Sequence, residues 1–123
     1  MVYFQFEPEE RFQSTWSPIV DVHERSASII VRVELPGVEK SDIKLTWRDG
    51  ILTIAGTKRR QATEQGSSRY LCMERNYGYF RRDITIGIEI DFENSSAELR
   101  DGLLNIQLPK LMERDGDTFI PIE

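Results

Sequence analysis

Cysteine occurs once in these 123 residues, as Cys72, and histidine once, as His23. A lone cysteine excludes an internal disulfide and any zinc site built from several cysteines. A lone histidine leaves Ser-His-Asp or Cys-His catalysis a single base. That base stands in the strand-like run PIVDVHER with no nucleophile in an elbow motif nearby, so His23 reads as a structural or solvent-facing residue. Neither G-x-x-x-x-G-K nor G-x-G-x-x-G occurs, and with them go the usual phosphate cradles. Asp115-Gly116-Asp117 has too few ligands and the wrong frame for a calcium loop and reads as charged linker. Apolar runs long enough to span a bilayer are missing, and MVYFQFEPEERF has acids where a signal peptide has basic and then apolar residues. Excess positive charge is missing too. With 16 Lys and Arg against 21 Asp and Glu the net charge is −5, which turns Arg59-Arg60 and Arg81-Arg82 toward protein contacts or solubility rather than nucleic acid or an anionic membrane. These absences predict a soluble, cytoplasmic protein that is not an enzyme, works without ATP and uses no cofactor or metal.

What the chain does have is a period of two. In SIIVRVELPG, Ile29, Val31, Val33 and Leu35 share one face and Ser28, Ile30, Arg32 and Glu34 the other, until Pro36-Gly37 stops the strand. Ile43, Leu45 and Trp47 line up in the next run, and Asp49-Gly50 turns it back into ILTIAG. Asp101-Gly102 repeats that grammar between Ala97, Leu99 and the run Leu104, Ile106, Leu108, while Phe80, Arg82, Ile84 and Ile86 share a face of another strand. The echo of RDGILTI in RDGLLNI is the common chemistry of tight hairpins rather than a duplication. Short strands separated by Gly, Pro and Asp-Gly turns predict an all-β, antiparallel β-sandwich, with a short helical turn before Trp16 as the one helical prospect.

Residues 57–77 break the rhythm. Twenty or so residues between strands is long for a compact domain, and the five basic residues Lys58, Arg59, Arg60, Arg69 and Arg75 against Glu64 and Glu74 give it a local charge of +3. Within it Tyr70, Leu71, Cys72 and Met73 suffice for a short strand on a solvated arm, suited to pairing with an open edge of another subunit. Cys72 reads as an inert, partly buried thiol, with redox sensing as the weaker alternative.

In order and spacing, SIIVRVELPGVEKSDIKLTWRDGILTIAGTKR, ERNYGYFRRDITI, AELRDGLLNIQLPK and IPI resemble the α-crystallin domain of the small heat shock proteins, in its bacterial and plant branch. Ala97, Gly102 and Leu104 match the A-x-x-x-x-G-x-L signature, Gly78, Phe80 and Arg82 the G-x-F-x-R element, and Pro36-Gly37, Asp42-Ile43 and Gly56 the first half. The resemblance implies an immunoglobulin-like sandwich of seven to eight strands over 18–109, a short N-terminal arm over 1–17 and a C-terminal extension over 110–123. It also implies a dimer in which the strand Tyr70, Leu71, Cys72, Met73 reaches the partner's Ile19, Val20, Asp21, Val22 and His23, with Arg82 at that interface.

By the same resemblance Ile120, Pro121 and Ile122 form an I-x-I tail that docks on a neighbouring dimer, in a groove lined by Ile43, Leu45, Ala97, Leu99 and Leu104. Ile120 and Ile122 point the same way from an extended segment that Pro121 stiffens, and burying both contributes ~3 to 6 kcal/mol before ordering costs. The implied function is that of a holdase, which captures unfolding client proteins without ATP. The groove and the aromatics Phe4, Phe6, Phe12 and Trp16 of the arm are the expected client contacts. Two other readings compete: a CS-domain-like co-chaperone or adaptor that binds one folded partner, and a ligand-binding sandwich using Trp16 and Trp47. The strand-bearing loop and the tail favour the first over the adaptor, and the placement of Trp47 beside Ile43 and Leu45 makes it a core or groove residue rather than a sugar platform.

Overall fold

The computed structural model describes residues 15–60, 69–111 and residue 122. Seven strands follow one another as β1 (Val20–Glu24), β2 (Ser28–Glu34), β3 (Ile43–Arg48), β4 (Ile51–Lys58), β5 (Gly78–Thr85), β6 (Ser96–Arg100) and β7 (Leu103–Pro109). They form two antiparallel sheets, ordered β1-β2-β7-β6 and β3-β4-β5. The sandwich predicted from the alternation is the one observed.

The register explains the core. Val31 stands opposite Ile106, and Val33 opposite Leu104, so each ladder position on the inner face of the four-stranded sheet carries two branched side chains. Leu45 opposite Ile54 and Trp47 opposite Leu52 do the same on the other sheet. Val31, Val33, Leu35, Leu52, Ile54, Phe80 and Leu108 are fully buried between the sheets. Ile30, on the outward face of β2, is buried as well; its ladder partners His23 and Gln107 flank it on either side.

Both Asp-Gly pairs turn as anticipated. Asp49 and Gly50 have φ of 50° and 77°, Asp101 and Gly102 of 50° and 79°, the doubly left-handed geometry that matches the twist of the flanking strands. Gly102 has a second duty, since its carbonyl accepts the Leu35 N–H at 2.8 Å and a Cβ there would come within 3.0 Å of Pro36 Cα. At Gly56 of β4 an added Cβ would overlap the Asp42 carbonyl and sit 2.7 Å from Phe80 Cζ, so only glycine lets the Lys40–Asp42 3-10 turn approach the strand.

The fold begins earlier and ends later than the expected 18–109. The Thr15 N–H donates to the Tyr79 carbonyl at 2.8 Å, and the Arg81 N–H to the Trp16 carbonyl at 3.3 Å. Residues 15–17 thereby lie along the free edge of β5 before the chain crosses at Pro18 to the other sheet. At the far end Leu111 donates its N–H to the Glu89 carbonyl at 3.0 Å.

Candidate functional site

Three strand edges, those of β1, β3 and β6, lack a neighbour within the described chain. On one flank β1 is the outermost strand of its sheet. Val20 opposite Val33 and Val22 opposite Val31 face inward, while Asp21 and His23 face out. Val20 packs against the core. Ile19 and Val22 overhang it, 64% and 48% exposed. Next to this edge the Arg82 guanidinium donates Nη1–H to the Pro18 carbonyl at 3.0 Å.

Tyr70, Leu71, Cys72 and Met73 form no strand here. An isolated extended segment has no ladder to join, and its apolar side chains stand in solvent, Leu71 86% exposed with Tyr70 and Met73 about half so. The exposed Cys72 thiol makes a weak donor contact of 3.5 Å to the Glu74 carboxylate.

On the other flank β3 and β6 are edge strands of opposite sheets. Of the residues expected to line a slot for the tail, Ile43, Leu45 and Leu99 are half-buried against the core. Ala97 stands opposite Ile106 and so faces inward, yet it is exposed, because nothing covers that edge. Leu104 departs from expectation. Paired with Leu99 but only 4% exposed, it belongs to the core rather than to the slot's surface. The sequence pattern did not signal one contact here: Phe92, from the 3-10 turn Phe92–Asn94, stacks on Trp47 of β3 with centroids 5.9 Å apart and planes at 12°.

Near the Ile43 end Arg59 grips Asp42 with both prongs, Nε to Oδ2 at 2.8 Å and Nη2 to Oδ1 at 2.7 Å. Those hydrogen bonds hold the Asp42 carboxyl below the usual carboxylate range against the opposing effect of burial. At Asp83, on β5, burial works to raise the pKa, but hydrogen bonds from Arg81 and Thr53 outweigh it and the carboxyl again lies low. Among the described residues no three acidic, histidine or cysteine side chains converge as a metal site would require.

Trp16 is not part of a free arm. Its ring lies 5.0 Å from that of Phe80 and its Nε1–H donates to the Gly78 carbonyl at 3.3 Å, making it a lid on the core. Phe4, Phe6 and Phe12, with the possible helical turn before Trp16, lie outside the described residues, as do Ile120 and Pro121. Ile122 is described and is 95% exposed, so the chain's own slot does not hold it.

Residues 21–123 match the model of the Hsp20/alpha crystallin family. Heat shock protein 16 of Schizosaccharomyces pombe is 41% identical over 110 residues, covering 87% of this chain and 76% of that protein. Small heat shock protein C4 of Rickettsia felis is 40% identical over 94 residues, covering 76% of this chain but 57% of that longer protein. Among solved structures, heat shock protein 16.0 from Schizosaccharomyces pombe superposes with a TM-score of 0.71 at 37% identity, covering 87% of this chain and 98% of the other. A small heat-shock protein from Xylella fastidiosa gives 0.72 at 28%, covering 89% and 97%.

Proposed function

This chain belongs to the Hsp20/alpha crystallin family of small heat shock chaperones, and from that footing we propose that it holds unfolding proteins on exposed apolar surface, without ATP, and keeps them from aggregating. The observation that carries the reading is the exposure of apolar side chains beside an unpaired edge and on the arm: Ile19 just before β1 and Val22 on it, with Tyr70, Leu71 and Met73 on the arm. Surface of that kind on an otherwise charged sandwich marks a protein that binds others. An unpaired strand edge also supplies main-chain hydrogen bonds to whatever extended segment arrives.

In this reading the protein works in the cytoplasm as a strand-exchanged dimer. The partner's Tyr70, Leu71, Cys72 and Met73 pair along β1 and cover Ile19 and Val22. Arg82, one donor of which is already committed to Pro18, has others left for a carboxylate across that interface. Dimers join through Ile120 and Ile122 inserted into the slot of Ile43, Leu45, Ala97 and Leu99, and the same slot, with Phe4, Phe6 and Phe12, receives clients when the tail leaves. The adaptor alternative loses ground, because the similar proteins are small heat shock proteins.

The test is light scattering from a thermolabile enzyme heated with the protein, with and without ATP. Suppression that is stoichiometric and indifferent to nucleotide is the expected result. Undiminished aggregation at a large molar excess of the chaperone, or suppression only with ATP, overturns the reading.

A further inference from the structure

At the root of the arm three cations surround one ring. Lys58 Nζ lies 5.7 Å from the centroid of Tyr77, Arg60 Cζ 5.0 Å and Arg75 Cζ 5.4 Å. Lys58 ends β4 and is only 9% exposed. Its stem runs past the bare backbone of Gly37, where an added Cβ would sit 3.2 Å from Lys58 Cε. The side chain is therefore largely covered. Arg60 and Arg75 are exposed.

Among the described residues none of the three forms an ion pair with a carboxylate. Of the described acids, Asp42 takes both prongs of Arg59 and Glu74 faces the Cys72 thiol, while Glu64 lies outside the described residues. Burial first, and then the charge of Arg75, push the Lys58 pKa down, as expected of a desolvated cation that faces like charge. The Tyr77 ring attracts each cation through its quadrupole but carries no charge to cancel three. A buried lysine and two exposed guanidinium forks around a common point, in a chain of net charge −5, form an arrangement short of an anion.

We propose that Lys58, Arg60, Arg75 and Tyr77 form a binding site for a multiply charged phosphate oxyanion, either a free polyphosphate or the phosphates of a nucleotide, bound and not hydrolysed. Two guanidinium forks suit phosphate oxygens pairwise, and the ammonium adds a point charge at the same ring. Arg60 lies on the stem that leaves the sandwich, Arg75 and Tyr77 on the stem that returns. A bound oxyanion thus ties the two stems together and fixes the direction in which the arm projects. Coupling to the dimer rests on the strand-exchange reading above, whereas the site itself does not.

The experiment is isothermal titration calorimetry of the full chain with inorganic pyrophosphate, at an ionic strength matched with chloride. Saturable binding of one pyrophosphate per chain is expected, weakened about tenfold or more in Arg60→Gln/Arg75→Gln. Arg48→Gln, at a distant exposed turn, should bind as the parent does. Lys58→Met should weaken binding similarly; should that variant fail to fold, the double arginine variant decides alone. ADP titrated in parallel assigns the source: affinity equal to that of pyrophosphate points to free polyphosphate, tighter binding to a nucleotide, and either upholds the site. No saturable heat, or binding unchanged in the double variant, overturns it. Sedimentation with and without pyrophosphate reads the coupling separately: a dimer that tightens supports it, and a dimer that ignores a bound pyrophosphate removes the coupling while leaving the site standing.

Discussion

Gly56 shows how much one missing methyl decides. The Lys40–Asp42 turn and the Phe80 ring both press on its Cα, and the core around Phe80 is closed on every side. Gly56→Ala must push backbone apart or tilt a fully buried aromatic, at a cost of about 3 kcal/mol, the upper range for overpacking. Urea unfolding followed by tryptophan fluorescence should show a markedly lower midpoint, and an unchanged midpoint would mean that the turn yields freely. Asp42 sits beside it with a different signature. Its carboxyl pKa is lowered in the folded protein from an ordinary value of 3.8. A lowered pKa stabilises the fold above that ordinary value, and the contribution fades as pH falls through the folded value. Asp42→Asn should therefore cost about 1 kcal/mol at neutral pH, modest because Arg59 is largely in water, and the gap between variant and parent should close in acid. A gap that stays constant from neutral pH down to well below 3.8 would assign the effect to packing instead.

At the scale of the element, strand pairing and turn type were legible because each is a local rule. Alternation fixed which side chains of β2, β3 and β7 meet, and Asp-Gly fixed two hairpins, since few other dipeptides accept two successive positive φ values. What escaped the pattern was long-range. Nothing in the alternation ties Trp16 to Phe80, 64 positions on, or Phe92 to Trp47, because contacts between distant aromatic residues leave no period in the chain. Leu104 misled for the opposite reason: a signature position shared with Ala97 suggested a common surface, but Leu104 faces the closed middle of the sandwich and Ala97 its open rim. The arm is the element whose structure depends on company. Leu71→Asp/Met73→Asp places two charges where the strand-exchange reading buries two apolar side chains, and should raise the dimer dissociation constant by a hundredfold or more, on the order of 3 kcal/mol. Both positions are exposed in the single chain, so the melting curve of the monomer should not move. A dimer of unchanged affinity in sedimentation would rule out this strand as the interface.

For the whole molecule the question is what covers a sandwich with three open edges among the described residues. A net charge of −5 and the charged outer faces supply repulsion, but repulsion alone leaves the expected slot between β3 and β6 uncovered. In the proposed reading, reversible occupation by the tail covers it. Two isoleucines make a contact weak enough to break singly, yet an assembly in which many tails dock at once gains from their combined local concentration. Such a system dissociates steeply over a narrow range of conditions. Ile120→Gly/Ile122→Gly should thus reduce the solution mass measured by light scattering from that of a large assembly to that of a dimer, while the sandwich itself melts as before. An assembly of unchanged mass would move the adhesive role to residues 1–14, and a parent protein already dimeric at high concentration would separate the slot from assembly altogether, leaving it to clients alone.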